Sequence, residues 1–111
     1  MIMAFLEEAH VNDYGTIIRV TVYDTTSTGG SAIADISDAS TKEFTFRRPD
    51  GTTFTKTAVF TNDGLDGQLQ YTTNVDDLNM AGTWGLQAYV ITSGGFSHRT
   101  DVGSFRVFEN L

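Results

Sequence analysis

An all-β sandwich of about seven strands in a single domain is predicted by three features of the sequence. Residues 16–23, 43–48, 83–91 and 104–108 alternate apolar and polar side chains with the period of two that belongs to half-buried strands. Turn chemistry carried by Gly, Asn and Asp separates these runs, since 11 glycines stand against a single proline. Helix has almost nowhere to go between them.

The stretch 63–90, DGLDGQLQYTTNVDDLNMAGTWGLQAYV, organises the rest as strand, corner and central strand. Leu69 and Tyr71 fall on one face of the first strand, and Trp84, Leu86, Ala88 and Val90 on one face of the second. Leu78, Met80 and Gly82 make the crossing between them. A leucine four residues before a glycine, with an aromatic two residues after it, is the way immunoglobulin-like sandwiches pass from one sheet to the other. Gly67 and Gly82, each feeding a strand from a corner, are predicted to hold backbone conformations that a side chain would strain.

Taken in order, residues 1–9 are predicted to form an N-terminal arm and 10–111 the sandwich domain. The arm is readable as a helical turn or as an extended segment. Its Ile2, Phe5 and Leu6 need cover that the seven-strand pattern does not supply, which makes them candidate partner-binding residues. Residues 16–23 form the first clear strand, with Ile18, Val20 and Val22 on one face. A turn-rich loop follows, and residues 32–40 are expected to close one end of the sandwich through Ile33 and Ile36.

Phe44 and Phe46 define the next strand. The Arg48-Pro49-Asp50-Gly51 sequence after it suits a type I turn, with proline supplying the fixed φ and glycine in the last position. The return strand, 52–60, places Phe54, Ala58 and Phe60 on one face and interrupts it with Lys56, which points to an edge position. After residue 90 the chain turns and returns over 96–108, with Phe105 and Val107 inward and an irregularity near 101–103. The predicted core therefore includes Phe44, Phe46, Tyr71, Leu78, Trp84, Leu86, Val90, Phe105 and Val107.

Composition narrows the function. At 111 residues and 12.1 kDa the chain can bury a core without staples. A formal net charge of −7 would repel a phosphate backbone, so nucleic acid is a poor partner. With no cysteine there are no disulfides, thiolate metal sites or cysteine nucleophile. The apolar start MIMAFL runs straight into Glu7 and Glu8 without a basic flank, so neither an export signal nor a membrane span is expected.

Candidate chemistry is sparse. His10 and His98 are the only candidates for proton chemistry near neutrality, and they read as surface or interface residues. No serine stands in a nucleophile-elbow pattern, and the chain is read as non-enzymatic. Asp63, Asp66, Asp76 and Asp77 invite a calcium reading, but Asp before Gly is ordinary turn chemistry and the spacing matches no calcium loop. No metal or cofactor is therefore expected. Trp84, Tyr71, Tyr89 and Phe96 could stack on sugar rings, yet Trp84 shares its face with core residues.

The segments RPDGT (48–52), DGLDGQLQY (63–71), DDL (76–78), AGTW (81–84) and GSFRV (103–107), with HVNDYGT (10–16) and ADISDAS (34–40), carry a resemblance over about nine-tenths of the chain. The sequence resembles an Ig-like module of tailed phages, similar to the N-terminal domain of the baseplate upper protein family and to short stand-alone virion proteins. The resemblance implies a non-enzymatic structural protein of the virion, assembled in the host cytoplasm and docked in many symmetric copies on tail, baseplate or neck subunits. Longer relatives continue beyond the position of Leu111 into a receptor-binding region, so a small adaptor or a capsid decoration (cement) protein is also expected. A carbohydrate-binding module that aids adsorption through a host surface glycan is the reading from a different class. The resemblance carries over no catalytic residues.

Overall fold

The computed structural model describes residues 2–4, 8–25, 31–93 and 97–110, with side chains placed for 10–23, 33–93 and 97–110. Two sheets face each other. The first contains β1 (Ile2–Ala4), β3 (Ile17–Thr25), β8 (Gln68–Thr72) and β7 (Val59–Phe60) in that order, with β4 (Ser31–Ile33) also pairing β3. The second runs β2 (Glu8–His10), β11 (Gly103–Phe108), β9 (Gly82–Ile91), β5 (Thr41–Arg47) and β6 (Thr53–Thr57), with β10 (Ser97–Arg99) also pairing β9. Every pairing is antiparallel except that of β2 along β11. The fold is an immunoglobulin-like β-sandwich, and no described residue is helical.

The alternation in sequence becomes the two inner faces. Ile18, Val20 and Val22 of β3 stand with Leu69 and Tyr71 of β8 on one side. Phe44 and Phe46 of β5, Trp84, Leu86, Ala88 and Val90 of β9, and Phe105 and Val107 of β11 stand on the other. All are buried, as is Leu78 in the connection between β8 and β9. Burying a large apolar side chain contributes about 1.5–3 kcal/mol, so these faces supply most of the drive to fold. Phe46 sits at the centre of an aromatic cluster, stacked on Phe54 at 4.9 Å and edge-on to Phe44 and Phe105.

Four details differ from the sequence expectation. Residues 52–60 are two strands in different sheets. The Ala58 amide makes a last bond to Lys42 O (2.9 Å), and Val59 then pairs with Gln70 across the sandwich. One alternating run thus serves both layers, because Ala58 is small enough to cross while buried.

Residues 96–108 likewise divide, into β10 and β11. Arg99 opposes Tyr89 and Gly103 opposes Leu86, while the Thr100 amide bonds to Ala88 O, so Asp101 and Val102 span the single place opposite Gln87. This is a bulge, at the predicted irregularity. Ile33 is 55% exposed rather than packed inside. It pairs directly with Tyr23, whose neighbour Val22 points inward, so parity sends Ile33 outward. Ala34, Ile36 and Ala39 close that end instead.

The predicted arm is the fourth difference. Ile2–Ala4 pairs with Thr21–Tyr23 at the edge of the first sheet, and Glu8–His10 pairs with Arg106–Phe108 at the edge of the second. Extended residues beside a sheet edge satisfy their own amides and carbonyls there, which a detached arm must leave to water. Of the predicted arm, residues 2–4 and 8–9 are therefore paired into the two sheets. Phe5 and Leu6 lie outside the described residues, as does the side chain of Ile2.

Candidate functional site

The predicted crossing is held by a buried polar knot. Tyr71 Oη donates to Asp77 Oδ2 at 2.5 Å, and the Asn74 amide donates to the same oxygen at 2.8 Å. Lys56 Nζ lies 3.8 Å from Asp77 Oδ1. Burial, then the hydrogen bond to Asp77 and its charge, push the Tyr71 phenol up to about 12. A phenol held so firmly protonated is a structural donor, and its ring is enclosed by Phe46 at 5.9 Å. Trp84 is fully buried between Phe54 and Phe105, and its Nε1 donates to Met80 O at 2.9 Å. Neither ring is free to receive a sugar.

The remaining candidate residues are dispersed. His10 and His98 are exposed on different strands, β2 and β10. Asp63 caps the Leu65 amide at 3.0 Å, and Asp66 caps Gln68 at 3.1 Å while accepting from Asn62 Nδ2 at 2.9 Å. Those bonds, the Asn62 one foremost, hold the Asp66 carboxyl below its usual range. Asp76 has a positive φ of 70°, and Asp77 belongs to the knot above. Among the described residues no three His, Asp or Glu side chains gather to share a cation. Tyr89 is half-buried with the Arg99 guanidinium 4.3 Å above its ring, and Phe96 lies outside the described residues.

What the sandwich presents instead is the outer face of the second sheet. Residues opposite in parity to Trp84 and Phe46 lie there: Thr45 and Arg47 of β5, Thr53 of β6, Gly85 and Gln87 of β9, and Arg106 of β11. A hollow of about 150 Å³ is floored by Gly85 and walled by Arg47, Thr45, Thr53, Gln87 and Val102. The Arg47 guanidinium lies over Gly85 so closely that a Cβ there would come within 3.1 Å of it. A second hollow of about 400 Å³ lies along Ala81, Gly82, Arg106 and Phe108. Sequence reading missed this surface. The signal available was Gly85 itself, since a glycine inside a strand marks a place where something approaches the backbone closely.

No protein-family model and no curated protein sequence matches the chain. Among solved structures it is similar to CopC from Methylosinus trichosporium OB3b, with 98% of each chain covered, 12% identity and a TM-score of 0.54. At that identity the likeness speaks to the fold alone, and the fold it supports is the β-sandwich described above.

Proposed function

We propose that this chain is a non-enzymatic structural module of a tailed-phage virion, docking through its sheet faces and loops on a tail, baseplate or neck component. The observation that carries the proposal is the motif resemblance spanning residues 10–16, 34–40 and 48–107. In three dimensions those motifs are spent on the framework. RPDG closes the β5–β6 turn through Gly51 N to Arg48 O at 2.9 Å, DGLDG turns into β8, and AGTW delivers Trp84 to the core. Function on such a framework falls to the surface, where copies meet neighbours.

The burial of Trp84 and Tyr71 speaks against the carbohydrate reading, which needs exposed rings. Electron microscopy of purified particles tests the proposal directly. The sandwich should be found as repeated density on the tail, baseplate or neck. Repeated density on the head shell would favour the decoration role, and particles lacking the chain by mass spectrometry would overturn a virion role.

A further inference from the structure

Two local patches of opposite charge stand apart on this sandwich. At the end where β9 finishes, the loops 34–40 and 61–67 are tied by Ile36 N to Gly64 O at 3.0 Å. They bring together Asp35, Asp38, Asp63 and Asp66. Leu65 stands among them, 58% exposed. At the end where β9 begins, Arg47 and Arg106 flank the two hollows of the second sheet's outer face. The Arg47 guanidinium makes no hydrogen bond or ion pair among the described residues, and Val102, 52% exposed, stands beside it.

Among the described side chains, strand parity places the acid Glu43 on that face, and Asp101 stands in the bulge beside Val102. Glu43 does not lie in the row of Arg47, whose strand neighbours are Gly85 and Thr53. One patch thus offers carboxylates around an exposed leucine, and the other offers a guanidinium, a glycine floor and an exposed valine. Arginine in a shallow hollow is a frequent interface anchor, and complementary charge fixes the orientation of docking.

We propose that copies of this chain associate head to tail, the acidic loop end of one, led by Leu65, seating on the Arg47 hollow of the next. The two patches differ, so the contact is heterologous and propagates into a ring or row rather than closing as a two-fold dimer. The inference deepens the virion-module reading by naming a second copy as one of its partners. The contact is small and partly electrostatic, which places it among weak interfaces strengthened by repetition.

Sedimentation equilibrium of the full chain tests it. Association should be seen at about 50 mM salt and weaken tenfold or more at about 0.5 M, where exposed charges are screened beyond about 4–5 Å. Arg47→Glu spoils the hollow and Leu65→Lys spoils the loop end, so each variant alone should be monomeric. Mixed in equal amounts they should form a one-to-one dimer, since each keeps the patch the other lacks. Both substitutions are at exposed positions, and near-ultraviolet circular dichroism of Trp84 would verify that the variants remain folded. A parent chain that stays monomeric at all concentrations and salts, variants that associate like the parent, or a mixture that stays monomeric would each overturn the proposal. Absence of the chain from purified particles would instead overturn the virion role and leave this contact standing.

Discussion

Trp84 and Gly85 are neighbours in β9, yet they belong to opposite parts of the molecule. Trp84 points inward, is fully buried and gives its indole proton to Met80 O. Gly85 points outward and forms the floor of a hollow under the Arg47 guanidinium. The first region is closed: Trp84, Phe46, Tyr71 and Asp77 are enclosed by packing and hydrogen bonds, leaving little to exchange with a ligand. The second is open, its guanidinium without a partner among the described residues. In this sandwich the framework and the docking surface are separated by one peptide bond, because successive side chains of a strand face opposite ways.

If that division holds, substitutions on the two sides of β9 should separate stability from association. The largest effect is expected at Trp84→Ala, which removes the most voluminous buried side chain and should cost about 3–5 kcal/mol. Thermal unfolding would report it, since about 1 kcal/mol moves a domain of this size by several degrees. A variant melting within a degree or so of the parent would mean that the inner face is misassigned.

Gly67→Ala comes next. Gly67 has a φ of +70°, and a Cβ there would stand 2.7 Å from Val22 O and 3.0 Å from Ala34 O, both backbone atoms that cannot swing aside. Left-handed strain costs about 1–3 kcal/mol, and the clash adds to it. Gly82 has a φ of +134° but meets only the Pro49 ring, so Gly82→Ala should cost less. Urea titration of the pair gives the order, and a neutral Gly67→Ala would show that the turn relaxes.

Tyr71→Phe should cost about 1–3 kcal/mol by leaving Asp77 short of a donor. It also has a pH signature. The phenol is held up to about 12 in the folded chain, against an ordinary value near 10 when unfolded. A pKa raised by folding contributes stability that is complete below pH 10 and is lost as pH rises towards 12. The parent should therefore lose up to roughly 2–3 kcal/mol across that window. The phenylalanine variant should lack this component, and equal alkaline losses in both proteins would count against the knot.

The smallest effect on folding is expected at Arg47→Ala, within about 0.5 kcal/mol, because the side chain is exposed. A loss above about 1 kcal/mol would make Arg47 part of the framework. The comparison between the two sides of β9 would then collapse.

Local patterning along the chain was enough for the class of fold and much of the core. Period-two alternation is a local property, so the inward placement of Ile18, Val20, Phe44, Phe46, Leu86 and Phe105 could be read residue by residue. The turns at Arg48–Gly51 and before Gln68 were equally legible, since proline and positive-φ glycine act on their own backbone. Which sheet each strand joins was legible only once the strands were packed. Residues 52–60 read as one strand yet change sheets at Ala58, and residues 2–4 and 8–10 pair with opposite layers of the sandwich. Pairing depends on which edge is free and within reach, and no local pattern encodes that. The same holds for the Arg47 hollow and the acidic loop end: parity marks Arg47 and Gly85 as outward-facing, but strands 38 residues apart must be laid side by side before they make one surface.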